Sequence, residues 1–212
     1  MRRTGVLALQ GDFAAHAAAL RELGLDCREV RRTAELEGLE GLVIPGGEST
    51  TLLNLMADEP WFEALSRFHE RGGALLGTCA GAILLAREVT GGAQATLDLI
   101  DVTVERNAYG RQVDSFEADV RLLGSDAPLR AAFIRAPRFR RLGDGVEVLA
   151  LLADEPVLVR QGRVMAATFH TELSEDRRVH DLFSRLVFEY DKNEERESRP
   201  AAGNSQFPIA VA

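Results

Sequence analysis

The sequence has few cysteines, and it lacks a long apolar run. Cys27 and Cys79 are the two cysteines among 212 residues, which argues against a disulfide framework and favours a reducing compartment. No apolar run reaches the roughly 18 residues of a membrane-spanning helix, and the N-terminal residues lead into a strand-like segment instead of a signal peptide. We therefore expect a cytoplasmic protein that does not enter a membrane.

An excess of basic residues is also missing. The chain has 33 acidic and 25 basic residues, and its formal net charge is −8. This balance argues against nucleic acid or an anionic membrane surface as the main partner. The length and the 46% hydrophobic content fit one domain with a buried core, which we assign to residues 1–190. Residues 191–212 show neither a helical nor a strand period and are predicted to form a flexible tail.

Short apolar segments and helical patterns alternate in the first half of the chain. Such alternation indicates βαβ units and a parallel sheet that helices cover on both faces. Gly24 ends the first helix, and Ser49 and Thr50 offer N-cap oxygens for the second. The predicted strands are residues 4–9, 27–30, 41–44 and 74–76, and the predicted helices begin at Phe13, at Ser49 or Thr50, and at Pro60.

The rhythm changes after Gly91-Gly92, where strand-like segments follow one another through short links. This spacing suggests antiparallel hairpins, and the turn at Gln161-Gly162 is the clearest of them. The fold class is therefore α/β, with three layers, a mostly parallel central sheet flanked by helices, and additional antiparallel strands. The later predicted strands are residues 100–105, 116–120, 132–134, 146–152, 156–160 and 164–169, and a last amphipathic helix spans residues 179–190.

Cys79 lies between two glycines, Gly77 and Gly81, after an apolar run and before a helix-forming run. A cysteine is often only a small buried packing group. Glycines two residues before and after a nucleophile, however, are typical of a sharp strand-to-helix turn that presents the central side chain. A helix N-terminus favours the thiolate, which is the form that attacks carbon. This pattern makes Cys79 a candidate nucleophile.

His170 is the best candidate for a general base. It ends a predicted strand, and Glu172 follows two residues later, so both side chains point to the same side of an extended chain. A carboxylate there can orient the imidazole and leave its other nitrogen free for Cys79. The other histidines lie in helical patterns with no evident acidic partner, so packed or solvated roles are expected for them: His16, His69 and His180.

Ligands of a doubly wound sheet collect beyond the carboxyl ends of its strands, where the loop at residues 45–48 should join Cys79. The Gly46-Gly47 pair could be a simple turn. Beside a nucleophile, this loop can offer one backbone N–H to an oxyanion, and Ala80 can offer a second. Glu48 could receive an ammonium group, while Arg106 and Arg135 could bind a substrate carboxylate.

Five segments, in this order and spacing, resemble one family. They are PGGEST (45–50), GTCAG (77–81), VERNAYGRQVDSFEAD (104–119), FIRAP (133–137) and FHTELSED (169–176). Over about residues 4–190, the chain is similar to the glutaminase subunits of ribose 5-phosphate-dependent pyridoxal 5′-phosphate synthase, which are class I, triad-type glutamine amidotransferases. The fold that the resemblance implies is flavodoxin-like. One departure is Thr171, where the family commonly has proline.

The resemblance implies roles for single residues. Cys79 would be the nucleophile, His170 the general base and Glu172 its orienting partner, while Gly47 and Ala80 would form the oxyanion hole. The subunit would need no metal and no cofactor, because pyridoxal 5′-phosphate is the product of the complex. Contacts to L-glutamine are implied for Gly47, Glu48, Ser49, Arg106, Ile134 and Arg135.

The implied partner is a synthase subunit in a large hetero-oligomer. It would combine ammonia with ribose 5-phosphate and glyceraldehyde 3-phosphate. Three alternatives stay open. The chain could feed another pathway, such as the imidazole glycerol phosphate branch. Its cysteine could instead serve a redox-sensing or chaperone-like site, or the chain could be a non-catalytic assembly partner.

Overall fold

The computed structural model describes residues 2–108 and 115–189, and all bounds below refer to that part of the chain. Strands and helices alternate up to residue 85, as the sequence predicts, and strands dominate after it. The first group is β1 (Arg3–Leu7), α1 (Phe13–Glu22), β2 (Asp26–Val30), a 3₁₀ turn (Thr33–Leu36), β3 (Gly41–Ile44), α2 (Ser49–Met56), α3 (Trp61–Glu70), β4 (Ala74–Thr78) and α4 (Ala80–Leu85). The second is β5 (Ala86–Thr90), β6 (Ile100–Glu105), β7 (Ser115–Leu122), β8 (Leu129–Ile134), β9 (Arg138–Leu142), β10 (Glu147–Leu152), β11 (Glu155–Gln161), β12 (Val164–Ala167) and α5 (Arg178–Phe188).

Within the described residues, nine strands form the main sheet, in the order β2-β1-β3-β4-β12-β11-β10-β7-β8. The five strands from β2 to β12 pair in parallel, and the pairs from β12 to β8 are antiparallel. β11 and β12 form the hairpin that the Gln161-Gly162 turn predicts. The predicted fold class, a mostly parallel sheet with additional antiparallel strands, is confirmed.

Helices cover both faces of the parallel part, because its strands are apolar on both sides. On one face, α1 and α5 pack against alternate strand residues such as Val6, Val43 and Leu76. On the other face, α2, α3 and α4 pack against residues such as Leu7 and Leu75. These two apolar clusters on opposite faces of one sheet make the three layers that the sequence predicts.

Two strands escape sequence-based prediction. β5 (AREVT) follows α4 without a turn residue, and β9 (RFRRL) carries three arginines around one buried side chain, Phe139. Both belong to a small sheet with the order β5-β6-β9, which packs on the face that α4 covers. Their apolar content is too low for a pattern to reveal them, since half of each strand faces solvent.

Helix α2 begins differently from the prediction. Glu48, and not Ser49 or Thr50, is the N-cap residue, and its carboxylate accepts hydrogen bonds from the backbone N–H of Thr51 at 2.7 Å and from its hydroxyl at 3.1 Å. Ser49 is buried as the first helical residue. The cap therefore fixes the carboxylate of a residue that the sequence assigns to ligand binding.

No helix in the described part of the chain is long and apolar enough to cross a membrane. The predicted tail at residues 191–212 lies outside the described residues, as do residue 190 of the last predicted helix and residues 109–114 of the third motif.

Candidate active site

A cavity of about 200 Å³ opens where β3, β4 and β12 end. The residues after β3 and β4 form one side, and residues after β6 and β8 form the other. All six residues predicted to contact glutamine line it, together with Cys79 and His170. The lining residues are Gly47, Glu48, Ser49, Cys79, Ile83, Arg106, Asn107, Ile134, Arg135 and His170.

Cys79 occupies a sharp turn between β4 and α4, as its glycine neighbours predict. Its backbone lies at φ 48° and ψ −103°, a region that residues with a side chain rarely adopt. A methyl group on Gly81 would lie 2.0 Å from the carbonyl oxygen of Ile44, and one on Gly77 would lie 2.5 Å from the backbone of Gly81. The glycines therefore allow α4 to pack directly on β3 and β4, with Cys79 at its N-terminus.

Cys79 directly follows β4, and His170 follows the neighbouring strand β12 after a short link. The N–H of Cys79 donates to the carbonyl of Ala167 at 2.9 Å, beyond the parallel β4–β12 pair. A methyl group on Gly46 would lie 2.6 Å from Cε1 of His170 and 3.1 Å from Cβ of Cys79. Gly46 thus lets the loop after β3 pack against both candidate residues.

His170 and Glu172 are in contact, but they do not belong to the extended strand that the sequence predicts. β12 ends at Ala167, so the prediction that His170 ends a strand is wrong. The N–H of His170 instead donates to Ala132 of β8 at 2.9 Å, and a turn follows. Nδ1 of His170 donates to Oε1 of Glu172 at 2.7 Å, which leaves Nε2 for another partner.

The charges of this pair reinforce each other. Burial opposes the imidazolium, but hydrogen bonds with Cys79 and Glu172 outweigh that cost and raise the pKa of His170 to about 10. Burial likewise opposes the carboxylate, but contacts with His16 and His170 hold the pKa of Glu172 well below its ordinary value. At neutral pH, these contacts therefore favour an imidazolium at His170, beside the sulfur of Cys79.

Gln10 contacts the loop after β3. Its Nε2 donates to the carbonyl of Glu48 at 3.0 Å, and its amide packs against Gly47, whose φ is +132°. The other predicted oxyanion donor is Ala80, in the first turn of α4, where backbone N–H groups have no intrahelical partner. Gly47 thus lines the same cavity as Cys79, and Ala80 directly follows Cys79 in the chain.

Glu48 and Arg106 meet across the cavity. Oε1 of Glu48 lies 3.3 Å from Nη2 of Arg106, which also lies 3.4 Å from Oγ1 of Thr50. The backbone N–H of Thr51 is the main reason why the pKa of Glu48 is lowered. Arg135, which is exposed and has a φ of 42°, follows β8 at the cavity mouth. The cavity therefore offers separate groups for an ammonium and a carboxylate.

Sequence reasoning misses three residues of the site and its surroundings. Ile83, one helical turn after Cys79, and Asn107, next to Arg106, also line the cavity. The prediction that His16 has no acidic partner is wrong, because its Nε2 lies 3.1 Å from Oε2 of Glu172. The apolar period of α1 could have revealed that His16 faces inward, since it lies four residues before the buried Leu20.

No group of three or more His, Cys, Asp or Glu side chains that could hold a metal ion occurs in residues 2–108 and 115–189.

The fold and the site together define a class of protein. A crystal structure described as a glutamine amidotransferase is 52% identical to this chain and superimposes with a TM-score of 0.81, covering 87% of this chain and 98% of that one. A chain from a GMP synthase of Thermoplasma acidophilum, 19% identical, shares the fold with a TM-score of 0.67, covering 92% and 98% of the two chains. The fold is that of glutamine amidotransferases.

The chain belongs to the SNO glutamine amidotransferase family, whose family model matches residues 6–189. It is 56% identical over 185 residues to the pyridoxal 5′-phosphate synthase subunit PdxT of Thermus thermophilus, covering 86% of this chain and 96% of that protein. These matches confirm the resemblance that the five motifs carry.

Proposed function

We propose that this chain hydrolyses L-glutamine to glutamate and ammonia, with Cys79 as nucleophile, and delivers the ammonia to a pyridoxal 5′-phosphate synthase subunit. One observation carries the proposal: Cys79 and His170 line the same cavity, and Glu172 lies directly behind His170. Membership of a glutamine amidotransferase family supports the reaction class.

The first half of the reaction forms a thioester. The Cys79 thiolate attacks the side-chain amide carbon of glutamine, and the carbonyl π electrons move onto oxygen. In this proposal, backbone N–H groups of Gly47 and Ala80 hold that oxyanion. When the C–N bond breaks, the His170 imidazolium gives its Nε2 proton to the leaving nitrogen, so ammonia departs and a γ-glutamyl thioester remains.

The second half of the reaction restores the enzyme. His170 is now neutral and removes a proton from water, which attacks the thioester carbon. The C–S bond breaks, glutamate leaves, and the thiolate and imidazolium are restored. Glu172 keeps the His170 proton on Nδ1 throughout, so Nε2 always faces the reacting atoms.

The wall of the cavity selects an amino acid. Arg106 and Arg135 provide guanidinium groups for the α-carboxylate, and Glu48 provides a carboxylate for the α-ammonium. Ser49, Gly47 and Ile134 complete the pocket. The cap that holds Oε2 of Glu48 leaves Oε1 as the oxygen that can turn from Arg106 to the substrate.

The relatives' name favours pyridoxal 5′-phosphate synthase over the imidazole glycerol phosphate branch as the destination of the ammonia. Free ammonia is mostly protonated at neutral pH and then loses its nucleophilicity. A protected transfer between subunits of a hetero-oligomer is therefore part of the proposal. Ribose 5-phosphate and glyceraldehyde 3-phosphate would be the substrates of the partner, and the chain itself needs no cofactor.

Labelling with a glutamine-like electrophile tests the nucleophile. We expect mass spectrometry to find a single adduct on Cys79 and none on Cys27, which is buried in β2 and whose thiol pKa is raised by that burial. The Cys79→Ser variant should stay unlabelled, and Cys27→Ser should label like the wild type. An adduct on Cys27, or labelling that survives Cys79→Ser, would contradict the assignment.

A turnover assay tests the reaction and the partner. Glutamate release by the purified chain should be low alone and should rise when a pyridoxal 5′-phosphate synthase subunit is added. Cys79→Ser should abolish it, while the complex should still make pyridoxal 5′-phosphate from added ammonium salt. If another pathway's synthase raises turnover and this one does not, the proposed destination is wrong.

A further inference from the structure

Glu172 lies between two histidines. Its Oε1 accepts from His170, whereas its Oε2 faces His16 of α1, whose Nε2 is 3.1 Å away. Among the described residues, Oε2 is buried and forms no hydrogen bond of regular geometry, so the 3.1 Å approach of His16 is a close polar contact. The side chain of Glu172 is 1% exposed and that of His16 is fully buried. Burying a carboxylate costs free energy unless polar groups face both of its oxygens. His170 contacts Oε1 only, so His16 is the histidine that faces Oε2.

A third histidine fixes the ring of His16. Nδ1 of His16 lies 2.9 Å from Nε2 of His180, which belongs to α5 and is fully buried. Oγ1 of Thr78, the last residue of β4, lies 3.4 Å from Nε2 of His16. Two helices and a strand thus meet at this imidazole, directly behind the catalytic cavity.

The positions of the protons follow from these contacts. A lone pair on Nε2 of His16 would face the carboxylate and repel it, so Nε2 carries a proton. Burial lowers the pKa of His180 to about 3, so that ring is neutral. Nδ1 of His16 and Nε2 of His180 share one hydrogen bond, and the Nε2–H of His16 faces Glu172.

We propose that His16 is a positioning residue for the reaction, because its Nε2 faces the second oxygen of Glu172 at 3.1 Å and thereby keeps the first oxygen on His170. This inference rests on the proposed glutaminase function for its catalytic meaning. His16 is not among the residues that line the cavity, and its proposed effect on the reaction passes through Glu172.

The charged and titratable groups that face this imidazole are few. On its own side of the sheet they are His180 and, beyond it, Arg177, whose positive charge acts on His180 and which binds Glu22 of α1. Toward the cavity they are Glu172 and then His170. Changes at His16 should therefore reach Cys79 through the Glu172–His170 pair.

Two amide substitutions at His16 distinguish the loss of the polar group at Nε2 from a general disturbance of packing. In His16→Gln, the side-chain N–H can take the place of Nε2 and still reach Glu172. In His16→Asn, the shorter amide corresponds to Nδ1 and reaches toward His180 only. His69→Gln, in α3 on the opposite face of the sheet, is the matched control.

The first readout uses iodoacetamide, which needs no glutamine. We expect the acid limb of the Cys79 alkylation profile to move to higher pH in His16→Asn by about one unit, because a less firmly held carboxylate stabilises the His170 imidazolium less. In the complex, kcat should fall about 10- to 100-fold with little change in KM, the range for one lost charge-assisted hydrogen bond. His16→Gln should restore most of both, and His69→Gln should match the wild type.

NMR of the wild-type protein tests the same proposal without a variant, so the test still holds if a variant does not fold. Long-range ¹H–¹⁵N spectra should show the proton of His16 on Nε2, and a downfield proton on Nδ1 of His170. An Nε2 without a proton, or His16→Gln and His16→Asn that fold and keep the wild-type profile, would overturn the proposal. If the alkylation results hold but the complex hydrolyses no glutamine, the proposed function fails and the positioning role stands.

Discussion

Thr171 separates His170 from Glu172, and its hydroxyl is poorly accommodated. The residue is 3% exposed, and its Oγ1 has no hydrogen-bond partner in the part of the chain that the structure describes. A buried, unpaired hydroxyl costs about 1–3 kcal/mol relative to an apolar group of the same shape. Within that part of the chain, the hydroxyl therefore adds no hydrogen bond to the site.

Thr171→Val should therefore stabilise the protein. We expect the free energy of unfolding to rise by about 1 kcal/mol, because the methyl group replaces an unpaired hydroxyl. Thr103→Val is the matched control: Oγ1 of Thr103 donates to Glu88 at 3.0 Å, so its loss should destabilise. Urea denaturation measures both, and a stabilised Thr103→Val with a destabilised Thr171→Val would contradict this reasoning.

At the scale of elements, the turn between β4 and α4 depends on backbone contact. Gly81→Ala would place a methyl group 2.0 Å from the carbonyl of Ile44, so α4 must move away from β3. We expect this variant to lose about 2–4 kcal/mol of stability, as overpacked sites do, and to react more slowly with iodoacetamide at Cys79. Chemical denaturation and alkylation rates measure the two effects.

Gly124→Ala separates this steric effect from backbone strain. Gly124 has a φ of +81°, and a methyl group there meets nothing within 4 Å. It should cost about 1–2 kcal/mol of left-handed strain and leave the alkylation rate of Cys79 unchanged. If Gly81→Ala behaves like Gly124→Ala in both assays, the close approach of α4 to β3 is not what holds the turn.

Local patterns predict the fold's parallel half well, because four of its five strands, β1, β3, β4 and β12, are almost entirely buried. They also locate the cavity residues, since Gly47, Cys79 and Arg135 stand at element ends where a sheet collects its ligands. The contact of His16 with Glu172 escapes prediction because it joins α1 to the chain after β12, and only the packed sheet brings them together. β5 and β9 are not predicted, because most of their residues are polar and few of their side chains are buried.

At the scale of the whole molecule, the pair of His16 and His180 joins α1 to α5 inside one apolar cluster. The pKa of His180 is lowered to about 3 by burial, below its ordinary value of 6.5. The unfolded chain therefore binds this proton more readily than the folded protein does, and stability falls as pH falls below 6.5. Glu172 adds little in that range, because the stability from its lowered pKa is lost only below about pH 4.5.

Acid titration of stability tests this coupling. Between pH 6.5 and 4.5, the wild type should lose about 2 kcal/mol more free energy of unfolding than His180→Gln, which has no ring to protonate. His69→Gln removes a histidine outside the pair and should keep the wild-type acid response. Equal losses in the wild type and His180→Gln, measured by urea denaturation at each pH, would show that His180 is not held neutral.

Because β4 pairs with β12, the long segment between them begins and ends at neighbouring strands of the main sheet. This segment forms the small sheet and the antiparallel strands of the main sheet, and β12 then pairs with β4 in parallel. The backbone of Cys79 is thus bonded to β12, while the backbone of His170 is bonded to Ala132 of β8, within that segment. Loops of that segment that lie away from Ala132 and the cavity, such as the turn at Gly124, can therefore change in length without moving either backbone contact.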